Sequence, residues 1–375
     1  MLTVDRVTAE EIGRVDLVND QGRSVAVTAM AVDPGRGLIV VGTDDNHLQW
    51  IDAASMQTIG RTRAHRDRIR SVCVGRQSAD ERVADQIASV GNDGRLQLWT
   101  IAGRGRATRL IRSQVIPGAP ALARVAFAPD GAELDAVGFS KTIYRIRRRG
   151  EKRRGDSGDS DSGRSGGASR LVSPTHDLRA IAHDEAGRLY VAGRGGDVHV
   201  YPATPDSTPR KPAAAQTTVS VAETRLRTGE ESSPSSMDGE IGRPATACRH
   251  CRTNPGAIND LAVMPSSGRV VCVCDGGLLS VYDAGRNEVS QRIEIGRGRL
   301  FAVEPIDSHR VAVAGSDDAI RIVDLSIGRV VDRWTGHHGS IAELAMADGV
   351  MISAGYDATV RKWRIGPTAD AGGRR

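Results

Sequence analysis

Three segments of the sequence repeat one pattern: an apolar stretch, a turn, a second apolar stretch, an Asp/Gly turn and a third alternating stretch. They occupy residues 27–52, 261–283 and 344–365. Apolar and polar residues that alternate with period two between Gly, Asp and Pro turns are typical of short antiparallel strands. No helical pattern of convincing length interrupts the series. The repeat therefore predicts an all-β fold assembled from similar units.

The third stretch recurs seven times. Its equivalent position is occupied by Ile51, Trp99, Ile146, Tyr201, Tyr282, Val323 and Trp363. The spacings between these residues are 48, 47, 55, 81, 41 and 40. The shortest spacings match the roughly 40–45 residues of a four-stranded propeller blade. The longer spacings coincide with polar insertions. We therefore predict a seven-bladed β-propeller of four-stranded antiparallel blades, with a ring of six or eight blades as the alternative.

Two copies carry further motifs. In the second copy His65 precedes Ser89, Asp93 and Trp99, and in the seventh Gly336-His337 precedes Ser353, Asp357 and Trp363. With these motifs the chain resembles the WD40-repeat (G-beta-like repeat) β-propeller family over about residues 2–365, less the insertions. The resemblance implies that the His, Ser, turn Asp and Trp of a blade form one hydrogen-bonded set. The first and sixth copies keep the turn acid as Asp45 and Asp317, whereas copies three to five lack it at its usual offset.

The same resemblance implies that an N-terminal strand completes the last blade. Residues 11–19 are strand-like, and closure by them would leave no exposed sheet edge. We expect residues 1–366 to form a single propeller and 367–375 a flexible tail. Polar composition predicts disordered insertions at about 147–168 and 227–256. Within the second long gap, the alternating residues 217–226 are predicted to be the outer strand of blade four.

Composition limits the compartment and the partners. The net charge is +5, but 47 of the 51 basic residues are arginines and 46 acids oppose them, so the excess is modest evidence for nucleic acid. Five cysteines do not suggest a disulfide-stapled secreted scaffold. The N-terminus is charged and no apolar run is long enough to span a membrane. We expect a cytoplasmic protein that does not bind membranes and is monomeric by itself.

The candidate chemistry is sparse. His65 with Asp93 and His337 with Asp357 could be mistaken for general-base pairs, but their recurrence at matching positions indicates a structural role. The sequence contains no P-loop, nucleophile elbow or H-E-x-x-H. Cys248 and Cys251 could supply half of a zinc site, although no second ligand pair exists. We expect a protein that is not an enzyme and has no cofactor.

The resemblance implies a platform that holds protein partners on its top face, as a subunit of a complex. The rim is expected to come from the turns between second and third strands and from the loops before each first strand. The candidate rim residues are Asp44, Arg66, Arg68, Asn92, Lys141, Arg194, Arg297, Ser316, His338 and Tyr356. This mostly cationic set favours an acidic peptide or protein. An RNA-associated propeller using the basic loop 145–154 and an enzyme with a site in the channel are the alternatives.

Overall fold

The computed structural model describes residues 9–75, 86–116, 120–131, 133–147, 168–203, 249–265 and 267–366. Twenty-eight β-strands run through these residues, joined by turns and by two three-residue 3-10 helices, Pro34–Arg36 and Gly105–Ala107. None of the helices in this part of the chain is long and apolar enough to cross a membrane. The strands pair into seven four-stranded antiparallel sheets, the blades of the predicted propeller.

The strands are numbered along the chain, and each blade is built from four of them in order from the channel outward. Strand β1 is Ala9–Asp16. Blade 1 comprises β2 (Val27–Asp33), β3 (Leu38–Thr43), β4 (His47–Asp52) and β5 (Gln57–Arg63). Blade 2 comprises β6 (Ile69–Gly75), β7 (Gln86–Gly91), β8 (Leu96–Ala102) and β9 (Arg109–Ile116). Blade 3 comprises β10 (Leu122–Phe127), β11 (Glu133–Gly138), β12 (Thr142–Arg147) and β13 (Ala168–Val172).

The remaining blades follow the same order. Blade 4 comprises β14 (Leu178–His183), β15 (Leu189–Gly193), β16 (Asp197–Tyr201) and β17 (Arg249–Arg252). Blade 5 comprises β18 (Ile258–Val263), β19 (Arg269–Cys274), β20 (Leu278–Asp283) and β21 (Glu288–Glu294). Blade 6 comprises β22 (Leu300–Pro305), β23 (Arg310–Gly315), β24 (Ala319–Asp324) and β25 (Arg329–Thr335). Blade 7 comprises β26 (Ile341–Ala347), β27 (Val350–Gly355) and β28 (Thr359–Ile365), with β1 as its outer strand.

Closure of the ring by the N-terminal strand is confirmed. Strand β1 pairs antiparallel with β28, from Ala9 opposite Ile365 to Asp16 opposite Thr359. Two ion pairs reinforce this seam between the chain ends: Arg361 Nη1 lies 2.7 Å from Glu11 Oε2, and Arg364 Nη1 lies 2.7 Å from Glu10 Oε2. The pairing covers the edge that β28 would otherwise expose.

The core is divided among the seams between blades. Seven clusters of buried apolar side chains lie there, one at each contact between neighbouring blades. The seven predicted third-strand positions all point into these clusters and are at most 4% exposed. Each is paired with the second residue of the neighbouring second strand, except in blade 4, where the partner is the first residue. The partners are Ile39, Ile87, Leu134, Leu189, Val270, Val311 and Met351. The seven positions that align in the sequence are therefore equivalent in the structure.

One predicted strand is wrong. The outer strand of blade 4 is β17, not residues 217–226, which lie outside the described residues. Five residues connect β17 to β18, the same length as between β5 and β6 or between β25 and β26. A short connection of this kind requires the outer strand to lie just before the next blade, whereas 217–226 ends far upstream.

The predicted insertions and tail lie mostly outside the described residues. Of the insertion 147–168, Arg147 ends β12 and Ala168 begins β13. Of the insertion 227–256, residues 249–256 form β17 and the start of its connection to β18, so that boundary was placed too late. The predicted tail 367–375 also lies outside the description.

Candidate functional site

Blade 2 contains a hydrogen-bonded set of four side chains. His65 Nδ1 lies 2.9 Å from Asp93 Oδ1, and His65 Nε2 lies 2.9 Å from Ser89 Oγ. Trp99 Nε1 donates to the same hydroxyl at 2.9 Å. Asp93 also accepts the backbone N–H of Arg66 at 2.9 Å. The set therefore fastens the loop before the first strand to the turn between the second and third strands, on the face we call the top.

Blade 7 contains the same arrangement. His337 Nδ1 lies 3.0 Å from Asp357 Oδ2, and Trp363 Nε1 donates to Ser353 Oγ at 2.8 Å. Burial would raise the pKa of Asp357, but hydrogen bonds from His337 and from the backbone N–H of His338 hold it well below its usual value. Burial lowers the pKa of His65, although Asp93 opposes the shift. Because these side chains hydrogen-bond to one another, they are suited to fixing the positions of the top loops.

Other blades substitute different polar pairs at this place. Asp45 accepts from Thr43 Oγ1 at 2.6 Å and pairs with Arg61, and Asp317 accepts from Arg321 Nη1 at 3.1 Å. In blade 4, Thr175 Oγ1 lies 3.0 Å from His199 Nε2, and in blade 5 Ser280 Oγ donates to Asn254 Oδ1 at 2.8 Å. Sequence reasoning missed the last two pairs because their residue types depart from the repeat motif.

The innermost strand of every blade carries a one-residue bulge at its top end. A bulge leaves one residue unpaired and redirects its side chain. The seven bulge residues are Thr28, Arg70, Ala123, Arg179, Asn259, Phe301 and Ala342. All seven line a cavity of about 340 Å³ at the top of the channel, which we call the top mouth. The bulges therefore determine which side chains a ligand entering the channel would contact.

The top mouth is rich in arginine. Its charged lining residues are Arg68, Arg70, Arg124, Arg179, Arg299, Asp275 and Glu343. Five guanidinium groups therefore face two carboxylates. The aromatic lining residues are Phe139, Phe301 and Tyr356. A concave surface with an excess of one sign of charge concentrates field lines and attracts ligands of the opposite sign.

An ion pair bridges the channel beneath this opening. Arg124 of blade 3 hydrogen-bonds with Glu343 of blade 7, although these blades are not neighbours in the ring. Arg124 Nη1 also lies 3.4 Å from the carbonyl oxygen of Arg70. Burial raises the pKa of Glu343 to about 7, with the nearby charge of Asp260 adding to the rise and Arg124 opposing it. The pair forms a floor under the top mouth.

Two further carboxyl groups lie on the innermost strands. Asp260 accepts the backbone N–H of Val303 at 3.0 Å, and Glu304 accepts that of Met346 at 2.9 Å. Burial raises the pKa of Glu304 to about 8. Each carboxyl group thereby accepts a hydrogen bond from a backbone N–H on the innermost strand of the following blade. Within the part of the chain that the structure describes, no group of three or more His, Cys, Asp or Glu side chains could hold a metal ion.

Arg68 and Arg70 are the least neutralised charges of the top mouth. They flank the buried Ile69, and neither has a salt-bridge partner among the described residues. The guanidinium of Arg70 lies 5.4 Å from the ring centroid of Phe139, a cation–π contact. Burial, followed by the charge of Arg124, lowers the pKa of Arg70. The charges of Arg68 and Arg179 contribute to the same lowering.

The remaining arginines share one carboxylate. Arg179 Nη1 lies 3.8 Å and Arg299 Nε lies 3.7 Å from Asp275, whose Oδ1 also accepts from Asn259 Nδ2 at 2.8 Å. Arg179 Nε is buried and has no hydrogen-bond partner among the described residues. The charge of the top mouth is therefore incompletely balanced from within.

The ten rim residues predicted from the sequence all lie on top loops. Six are in turns between second and third strands and four in loops leading to a first strand. Arg68 and Tyr356 line the top mouth, and the other eight lie on the surrounding loops. The sequence prediction missed Arg70, Arg124 and Arg179. The sequence signal that could have identified these arginines is their position close to the start of an innermost strand.

The structure bears on two further predictions, the basic loop and the half zinc site. Arg145, the first residue of the predicted basic loop, lies in β12, is 6% exposed and donates to both carboxylate oxygens of Asp135 at 2.9 and 2.8 Å. It is therefore not available to nucleic acid. Cys251 lies in β17, and burial raises the pKa of its thiol. Cys248 lies outside the described residues.

Comparison with known proteins gives short matches. No family model matches the chain. It is 28% identical over 91 residues to U3 small nucleolar RNA-associated protein 21 homolog of Schizosaccharomyces pombe, covering 24% of this chain and 10% of that protein. It is 38% identical over 69 residues to periodic tryptophan protein 2 homolog of Neurospora crassa, covering 17% and 8%. It is 33% identical over 60 residues to an uncharacterized WD repeat-containing protein of S. pombe, covering 16% of each chain. The matches thus span about a sixth or less of these relatives.

Proposed function

Since the chain is a WD40-repeat β-propeller, we propose that it is a non-enzymatic interaction scaffold whose top mouth binds an acidic segment of a protein partner. The observation that carries the proposal is the charge of the top mouth, where five arginines face two carboxylates. The framework around the top mouth is held by the buried seams between blades, which leaves side chains of the top loops available for contact with a partner.

Arginine gives the proposed preference a physical basis. A guanidinium group offers two parallel N–H donors that match a carboxylate, and it stays charged at every physiological pH. Arg68 and Arg70 have no salt-bridge partner among the described residues, so a visiting carboxylate would not need to break an existing ion pair. The predicted rim residues Arg66, Arg297 and His338 would extend the contact outward over the top loops.

An RNA-associated role is the second candidate. One relative is by name a small nucleolar RNA-associated protein, and a cationic opening could also meet phosphates. Binding to RNA would weaken steeply and linearly in the logarithm of the salt concentration. Replacement of residues 148–167 by a short Gly-Ser linker, which keeps Arg147 in β12 and Ala168 in β13, would weaken binding through the predicted basic loop and leave binding at the top mouth unchanged.

The place of contact can be tested by photo-crosslinking. A photoreactive amino acid at Tyr356, which is 43% exposed, is expected to join a partner through a peptide rich in Asp or Glu. The same group at the exposed Arg104, on the opposite face of blade 2, is the control. Mass spectrometry of the joined peptides reads out both positions. Adducts at 104 with none at 356, or basic peptides at 356, would contradict the proposal.

A further inference from the structure

We infer that the top mouth recognises a compact double negative charge next to an aromatic or aliphatic side chain, with the charge over blades 2–4 and the apolar group over blades 6 and 7. This inference rests on the proposed function and names the chemistry of the segment. The chemistry could come from a phosphorylated residue or from two adjacent carboxylates.

The charge of the top mouth is unevenly distributed around the ring. Among the described residues, blades 2, 3 and 4 contribute four of the five arginines and no acidic side chain to the lining: Arg68, Arg70, Arg124 and Arg179. Both lining carboxylates, Asp275 and Glu343, come from blades 5 and 7. An anion entering the opening is therefore drawn to one side of the channel, and a segment that carries it takes a defined orientation.

The excess charge sets the valence of the ligand. Glu343 is held by Arg124, and Asp275 is shared between Arg179 and Arg299. Among the described lining residues, five cations and two anions leave three positive charges, two of them on Arg68 and Arg70. A single carboxylate would leave most of this excess positive charge unneutralised. A phosphate monoester carries a charge of roughly −1.5 to −2 at pH 7. Two neighbouring carboxylates provide a similar charge.

The position of the charge is fixed by packing. Arg70 lies over the Phe139 ring, and its neighbour Ile69 is completely buried. An arginine held in this way loses less conformational entropy on binding than a free surface arginine. The unpaired Arg179 Nε lies on the same side of the channel.

The opposite side offers apolar surface. Phe301 is the bulge residue of blade 6, Ala342 is that of blade 7, and Tyr356 follows on the next top turn of blade 7. Tyr356 is 43% exposed, so its ring can take up contact area on binding. Aromatic side chains provide large contact area at a small entropic cost. The segment is therefore expected to place an apolar residue here, within a few residues of its charged group.

The test measures peptide binding to the full chain by fluorescence anisotropy. Five labelled ten-residue peptides share one frame. Four carry phenylalanine beside phosphoserine, Asp-Asp, a single Asp or serine, and the fifth carries phosphoserine with serine in place of phenylalanine. Versions with one, two and three residues between the two groups allow for the width of the opening. The two dianionic peptides with phenylalanine are expected to bind roughly 10- to 100-fold more tightly than the neutral peptide.

Variants assign each half of the segment to its side of the opening. Arg70→Gln should weaken the dianionic peptides at least roughly tenfold and leave the neutral peptide unchanged. Tyr356→Ser should weaken the peptides with phenylalanine and leave the phenylalanine-free peptide unchanged. Arg104→Gln on the opposite face is the matched control and should change nothing.

The outcomes separate this inference from the proposed function. Equal affinity for singly and doubly charged acidic peptides, or no effect of phenylalanine, overturns the inference while leaving an acidic partner at the top mouth intact. Tight binding of a dianionic peptide that ignores Arg70→Gln also overturns it. A single-stranded oligonucleotide that binds more tightly than every peptide and responds to Arg70→Gln overturns both.

Discussion

A chain lacking residues 1–16 is expected to lose the stability of the ring, with a melting temperature at least roughly 10 °C below that of the full chain. The deletion removes β1, its backbone hydrogen bonds to β28 and its two ion pairs with Arg361 and Arg364. At about 1 kcal/mol for each of half a dozen backbone hydrogen bonds, the loss is large compared with the usual net stability of a domain. Circular dichroism during heating measures it.

The same deletion should change the association state. Without β1, strand β28 presents unpaired N–H and C=O groups, and exposed edges of this kind pair between molecules. We expect dimers or larger species in light scattering. A chain lacking only residues 367–375, which keeps β1 and β28, is the length control. An unchanged melting temperature with monomeric elution would show that β1 does not hold the ring closed.

Replacement of Trp363 by alanine is expected to lower the free energy of unfolding by about 3–5 kcal/mol. The side chain is 4% exposed, lies with its ring centroid 6.1 Å from that of Trp334, and donates to Ser353 Oγ at 2.8 Å. Its loss therefore leaves a cavity at the seam between blades 6 and 7 and removes a partner from the blade 7 set. Denaturant unfolding followed by circular dichroism gives the free energy.

Trp363→Phe separates the two causes. Phenylalanine keeps most of the packing but cannot donate to Ser353, so its cost should be about 1–2 kcal/mol. Trp99→Ala in blade 2 should behave like Trp363→Ala because Trp99 makes the corresponding hydrogen bond to Ser89. A loss below about 1 kcal/mol for either alanine variant would mean that the set does not stabilise its blade.

The sequence was sufficient for the framework because the framework repeats. Each third strand presents one apolar residue at a fixed offset, and burial in a seam demands such a residue in all seven blades, including the degenerate ones. Closure by an N-terminal strand was also predictable, since the last copy lacked a fourth strand, but the predicted residues 11–19 begin two residues and end three residues later than β1. The strand at 249–252 was missed because its four residues, Arg-His-Cys-Arg, carry almost no alternating apolar signal.

The top mouth could not be predicted in the same way. Arg124 and Glu343 are 219 residues apart in sequence and meet because the ring brings blades 3 and 7 to opposite sides of one channel. No local pattern encodes that distance. The bulge at each innermost strand depends on pairing register, which decides whether Arg70 faces the channel or a seam. The turn residues therefore predicted the loops around the top mouth but not the side chains that line it.

The most direct test of the account is the affinity of a partner, captured through position 356, for a chain carrying Arg68→Glu and Arg70→Glu. The control carries Arg104→Glu and Arg106→Glu, which change the net charge equally on the opposite face of the same blade. We predict that the dissociation constant rises at least roughly tenfold for the first variant and stays within about twofold for the second. Equal affinities for both variants would contradict an acidic partner at the top mouth.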